Sequence, residues 1–380
     1  MVCLRRRRGG GGNIALLLFG LLMLQALPSA AADSARSFRM GFTPFKYSWI
    51  EESQQRTYAL IADHADLIVH HLDGGVPWVE AFEGRPFADE VEANLADRVK
   101  NVRPGQKVFV SATPIDFDRK RLAGYWGAKE NMERPGAWKD KGFDDPDVVT
   151  AYLNYCRGLI RRFAPDYFAY GIEVNLLAYN DPVGYAAFVS LARRIYPVLK
   201  QEFPRTRILL SFYLEPPTRI VEAKKHIDAL LPFTDLFAIS TYPYMVREGP
   251  PQRLDQVATD WFEQVRRIAP GKPFAIAETG FIAEPLSVLW KTVEGTPADQ
   301  EKYAAWMLSE ANRLDAEFVV WFVVADYDEL WSVLRWMVLF NPLMKAWKDT
   351  GMFDGELDPR PALGVWDAWL RAPIDPGRNP

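Results

Sequence analysis

KPFAIAETGF, Lys272–Phe281, decides the fold. Phe274, Ala275, Ile276 and Ala277 form a short apolar run of the kind a strand buried on both faces needs. Pro273 sits at its start, where a strand accepts proline. The run ends on Glu278, and Gly280 lets the chain turn away. A carboxylate at the end of a buried strand is costly unless it is paired or put to use. Asp166–Asn175, DYFAYGIEVN, has the same form and ends on Glu173. Two such strands, about a hundred residues apart, point to two carboxylates facing one pocket.

The neighbouring stretches extend the pattern in both directions. Phe38–Phe45, Asp66–His71 and Gln106–Thr113 read as the first three strands, Arg207–Phe212 and Thr234–Tyr242 as the fifth and sixth, and Glu317–Ala325 as the eighth. Helical spacing separates them over Gln54–Ala65, Ala88–Val102, Arg219–Leu231 and Leu254–Ile268. Asp145–Pro146, Asp181–Pro182 and Thr296–Pro297 each supply a cap and an N1 proline for a further helix. Strands this apolar belong in a parallel sheet covered on both faces, and eight strand–helix units predict an α/β fold, a (β/α)8 TIM barrel. A doubly wound open sheet is the alternative, but no GxGxxG turn follows the first strand to support it. Active sites of such barrels lie at the C-terminal ends of the strands, where both glutamates fall. A long loop from Pro114 to about Asp144, rich in Gly, Pro, Trp and charge, reads as a lid or binding loop, or else as disordered.

The first 32 residues read as a secretory signal peptide, leaving 33–380 as one domain. Arg5–Arg8 is the charged region, Ile14–Leu27 the apolar region and Ala30–Ala32 the small-residue cleavage site. The apolar run is short for a membrane span, although an uncleaved anchor and twin-arginine export stay open. A secreted or periplasmic monomer with no membrane partner after cleavage is the expectation. The chain's formal charge is −4, and the leader holds four arginines and no acid, so the remainder is more acidic still. That balance argues against a nucleic-acid partner. Cys156 is then the only thiol, so no internal disulfide is available and the apolar core must carry stability. Cys156 itself lies in a helical pattern and reads as buried.

Paired carboxylates across a pocket are the equipment of glycoside hydrolysis, one protonating the leaving oxygen and the other attacking the anomeric carbon or activating water. Sugar subsites also need aromatic platforms, and Trp49, Trp78, Trp126, Tyr242, Tyr244 and Trp321 fall at expected strand ends or loops. His70, His71 and Asp73 suggest a metal, but neighbouring strand residues point to opposite faces and only His64 and His226 remain elsewhere. No metal and no cofactor is expected, and one of the two histidines lines the pocket as a hydrogen-bond donor. Asp326 and Asp328, after the eighth strand, bind sugar hydroxyls or cap the following helix, with capping through Asp328 ranked first.

The motifs resemble those of clan A retaining glycosidases, and most of all glycoside hydrolase family 53, the endo-β-1,4-galactanases. Gly171-Ile172-Glu173-Val174-Asn175 stands against G-N-E-[IV]-N on strand four, and Glu278-Thr279-Gly280-Phe281 matches E-T-G-[WYF] on strand seven. Asp235–Met245 resembles the strand-six pattern D-x-[IF]-G-[IL]-S-Y-Y-P-[YF]-W, and the tail Gly351–Gly355 with Arg360–Leu363 resembles a stretch common at glycosidase C-termini. The resemblance covers roughly residues 165–370. It implies a β-linked poly- or oligosaccharide substrate, Glu173 as acid/base, Glu278 as nucleophile, Tyr242 as hydrogen-bond donor to the nucleophile and Trp321 as the platform under the sugar. Asn175, His71 and Trp78 complete the expected substrate-binding set. Ile172 replaces the family's asparagine, and the strand-two arginine is absent. A barrel that binds glycans without cleaving them, or that assists export of polysaccharide, therefore stays open, as does a hydrolase of another bond built on His70 or His71 with an aspartate.

Overall fold

The apolar runs become the staves of a closed ring. The computed structural model describes residues 35–247, 252–288, 291–337, 342–375 and 377, so the expected signal peptide lies outside the described residues. In chain order the strands are β1 (Arg39–Thr43), β2 (Leu67–Leu72), β3 (Lys107–Ala112), β4 (Tyr167–Ala169), β5 (Arg207–Tyr213), β6 (Phe237–Thr241), β7 (Phe274–Thr279), β8 (Leu286–Val288), β9 (Lys291–Val293) and β10 (Ala316–Val323). Strands β1–β7 pair in sequence order, each parallel to the next, and β10 closes the ring between β7 and β1. This is a (β/α)8 barrel. β8 and β9 form an antiparallel hairpin outside it, which the sequence reading missed.

Helices cover the ring, and the three expected to open on a capped proline start at Pro146, Pro182 and Pro297 as the sequence marks them. Asp145 accepts from the Asp147 backbone N–H at 2.9 Å, Asp181 from Gly184 at 3.0 Å and Thr296 from Asp299 at 3.1 Å. Each cap satisfies an otherwise orphaned amide and is worth about 1 kcal/mol. One expected helix fails. Leu254–Ile268 keeps helical spacing but forms only a 3-10 turn, Leu254–Gln256, and a short helix, Gln264–Ile268. Tertiary bonds win there. The Trp261 indole donates to Thr241 Oγ1 at 2.9 Å, and the buried Gln264 amide donates to the Glu215 and Trp261 carbonyls at 3.0 and 2.8 Å.

Side-chain parity divides the core in two. Leu67, Val69, Phe109, Tyr167, Ala169, Leu209, Ala238, Ala275, Ala277, Phe318 and Val320 fill the ring, while the alternate residues pack against the helices in a larger cluster. On β7 this parity aims Ala275 and Ala277 inward and would send Glu278 outward. A bulge corrects it: Ile239 pairs with Ile276, but Ser240 pairs with Glu278. The extra residue turns Glu278 into the barrel mouth and Thr279 out to the helices, where its hydroxyl meets Tyr303 at 2.6 Å.

His70, on the outer face of β2, is fully buried against the Phe163 ring. Neither of its ring nitrogens has a hydrogen-bond partner among the described residues. Burial first, and then the Arg98 charge, push its pKa down to about 3. The unfolded chain therefore binds a proton that the folded chain refuses, and stability falls as pH drops below the unfolded value of 6.5 towards the folded one. Acidifying from about pH 7 to about pH 4 is expected to cost ~3 kcal/mol through this group. Urea unfolding of wild type and His70→Leu across that range checks it. An identical pH slope in the two proteins removes His70 from the account.

Candidate active site

Alternate residues of three strands reach the barrel mouth from the inner face. His71 comes from the end of β2, Ser211 from β5, Ser240 from β6, and Tyr242 from just beyond β6. They frame the two glutamates. β4 ends at Ala169, so Glu173 stands in the turn that follows, with φ of +49°, a left-handed conformation rare for glutamate. The Glu173 backbone N–H donates to Ser211 Oγ at 3.0 Å. Ser240 Oγ donates to Glu173 Oε1 at 2.7 Å, and Arg119 Nη2 to Oε2 at 3.2 Å. Both carboxylate oxygens are thus held, which is how a strained backbone position persists.

Glu278 is held differently. Tyr242 donates to its Oε1 at 2.5 Å, and His71 Nδ1 lies 4.0 Å from its Oε2. Burial raises the Glu278 pKa and the charge of Glu173 adds to the rise, while His71, the Tyr242 hydrogen bond and Arg119 oppose it; the net direction is up. Both carboxylates line the same cleft. Burial and the Glu278 charge push the Tyr242 hydroxyl well above its ordinary value of 10, so it stays a donor.

His71 bridges outward to Asp73, with Nε2 and Oδ2 3.5 Å apart. Burial opposes charge on both, but the pairing outweighs it: His71 is raised, and His71 with Arg119 holds Asp73 well below the usual carboxylate range. The mouth therefore gathers His71, whose charged form the pairing with Asp73 favours, and the Arg119 guanidinium beside Asp73, Glu173 and Glu278. Around them opens a cleft of about 890 Å³, lined also by Phe45, Trp126, Tyr213, Phe322, Tyr327 and Trp347. Aromatic faces with a few converging polar groups suit a ligand rich in both hydroxyls and apolar ring faces.

The structure brings together Glu173, Glu278, Tyr242 and His71, and not the other three expected site residues. Trp321 faces outward. Inward parity on β10 runs Phe318, Val320 and then Phe322, so Phe322 lines the cleft while the Trp321 indole donates to the Thr350 carbonyl at 2.7 Å against Trp366 and Tyr303. Trp78 is buried beneath the 114–144 loop, where its indole N–H donates to the Ala123 and Gly124 carbonyls and anchors that loop. Asn175 is buried and ties β4 to β5 through a reciprocal pair with the Tyr213 backbone, at 2.9 and 2.8 Å. Asp326 is engaged by Arg360 at 2.6 Å and by the Gly351 N–H at 2.6 Å, and Asp328 opens the helix Asp328–Met337 while holding Lys348. Sequence reasoning missed Arg119, Ser240 and Phe322. No alternation in the all-apolar stretch EFVVWFVVA marks Phe322, and nothing periodic marks Arg119, which comes from the loop.

The same architecture recurs in solved structures. The chain aligns over 90% of its length with the exo-β-1,4-mannosidase Op5Man5 from an Opitutaceae bacterium, strain TAV5, at 15% identity and a TM-score of 0.61, and spans 62% of that protein. A GH5 subfamily 18 protein from Streptomyces cattleya, solved with Manβ1-4GlcNAc, aligns over 90% of this chain and 83% of its own, at 17% identity and a TM-score of 0.61. A GH53 catalytic domain from Ignisphaera aggregans aligns over 82% and 87%, at 17% identity and a TM-score of 0.52. The fold is that of the clan A glycoside hydrolase barrels. Family 53 is one of several matches, so the sequence resemblance widens from one family to the clan's fold. No protein-family model and no curated protein sequence matches the chain.

Proposed function

We propose that this chain is an exported retaining glycoside hydrolase acting on a β-linked poly- or oligosaccharide. The observation that carries the reading is the convergence of Glu173 and Glu278 on one aromatic cleft, with Tyr242 donating to Glu278. Glu173 protonates the glycosidic oxygen as Glu278 attacks the anomeric carbon. The C–O bond breaks, and a glycosyl ester forms on Glu278. Glu173, now ionised, takes a proton from water, which attacks the same carbon and restores Glu278. Tyr242, His71 and Arg119 supply the positive field that keeps the Glu278 carboxylate available despite burial, standing in for the arginine expected on strand two. Export rests on Arg5–Arg8, Ile14–Leu27 and Ala30–Ala32, and N-terminal sequencing of the exported protein checks it.

The test is reducing-sugar release from a panel of β-glucans, β-mannans, galactans and bacterial exopolysaccharides by wild type and by Glu278→Gln. Equal signals from the two proteins would favour a barrel that binds glycans without cutting them.

His71 gives the reading a pH signature. Its positive charge lowers the proton affinity of Glu278, so His71→Gln leaves Glu278 more easily protonated. A protonated carboxyl is no nucleophile. The acid limb of kcat/KM is therefore expected to move to higher pH in the variant. A limb that stays in place, or moves down, rules out His71 as the partner of Glu278.

A further inference from the structure

A second cavity of about 560 Å³ adjoins the cleft, and Phe117, Asp118 and Asn131 line both. We infer that the two form one extended groove, in which the 114–144 loop binds further sugar residues of the same polysaccharide chain and makes the site endo-acting. This deepens the hydrolase reading and rests on it for the cutting step only.

The wall between the cavities is a built feature. Ile115 and Leu122 pair as a bridge, and Asp116 closes the hairpin by accepting the Lys120 and Arg121 backbone N–H groups at 2.8 and 3.2 Å. The hairpin tip is pinned from below by Asn180, which donates to the Arg119 carbonyl at 3.0 Å. Arg119 also donates through Nη1 to the Asp116 and Phe117 carbonyls, at 3.0 and 3.3 Å, while its Nη2 reaches Glu173. One guanidinium thus fixes the loop tip relative to the acid/base.

Phe117 is presented there as a ring 39% exposed, although most large apolar side chains of this protein are buried. An exposed ring on a rigid rim between the aromatic cleft and the charged second cavity suits the apolar face of a sugar. The second cavity then offers charged donors and acceptors for hydroxyls. Arg134 reaches into it, held through Nη2 by the Lys139 carbonyl at 2.8 Å, and its buried Nη1 has no hydrogen-bond partner among the described residues. An unpaired buried donor of this kind gains from a ligand oxygen. The second cavity contains none of the groups that hold Glu173 or Glu278, so its part is binding.

The experiment uses the full chain and β-1,4-linked manno-, gluco- and galacto-oligosaccharides from disaccharide to hexasaccharide. Turnover is measured on wild type, and binding to Glu278→Gln by calorimetry. Affinity and kcat/KM are expected to rise about tenfold or more from trisaccharide to hexasaccharide, with internal bonds cut first. Phe117→Ala and, separately, Arg134→Gln are expected to erase most of that rise, with a loss on the hexasaccharide about tenfold and several times larger than on the disaccharide. Affinity independent of chain length, equal losses at every length, release of single sugars from one end, or no binding by any chain overturns the inference. No cutting of any chain by wild type, with Glu278→Gln still binding longer chains more tightly, would instead sink the hydrolase reading alone and leave the extended groove standing.

Discussion

Glu278→Gln is expected to lower kcat on the best substrate by at least about 10⁴-fold, because the amide has no charge with which to attack the anomeric carbon. Its shape is nearly unchanged, and its carbonyl oxygen still accepts from Tyr242. Folding does not suffer. Burial raises the wild-type Glu278 pKa, so at neutral pH the ionised carboxylate sits there at a cost that a neutral amide avoids. The thermal midpoint is expected to hold or rise, and oligosaccharide affinity to persist. Loss of turnover together with a retained midpoint separates chemistry from collapse. Residual activity of more than about a hundredth of wild type would remove Glu278 from the nucleophile's role.

Glu173→Gln is expected to show a loss that depends on the leaving group. For natural glycosides, whose departing alkoxide needs a proton, kcat/KM should fall by about 10³- to 10⁴-fold. A glycoside of an acidic phenol leaves without help, and its first step should lose far less. Turnover of the second step then stalls for want of a base, and added azide, which needs none, should restore it and give a glycosyl azide of retained configuration. The variant keeps the Ser211 contact to the 173 backbone and the left-handed turn. Equal losses for both leaving groups, or azide without effect, would mean that Glu173 is held by Arg119 and Ser240 for structural reasons alone.

Much of this architecture was legible in the residues, and the limits have physical causes. Buried parallel strands announce themselves as short apolar runs, so the ring and its strand ends could be read, and with them the positions of both glutamates. Face was harder to read. His70 and His71 are neighbours on one strand, so parity predicts one of them in the pocket without saying which. EFVVWFVVA, by contrast, is apolar on both faces and gives no alternation to count, so Trp321 and Phe322 could not be told apart. On β7 simple alternation misleads, because the bulge that turns Glu278 inward leaves no mark in FAIAET. Arg119 was invisible for a third reason. It acts from an irregular loop whose path is set by tertiary bonds, including that of the Trp78 indole, a residue the sequence assigns to the substrate-binding set instead.

The account turns on Glu278 forming a covalent bond with the sugar while Glu173 works from across the cleft. A 2-deoxy-2-fluoro glycoside with a good leaving group slows both steps and lets that bond accumulate. Peptide mass spectrometry of the treated protein should place one added sugar on the peptide containing Glu278, in wild type and not in Glu278→Gln. A sugar found on another side chain, or none on any peptide while the substrate is still being cut, would contradict it.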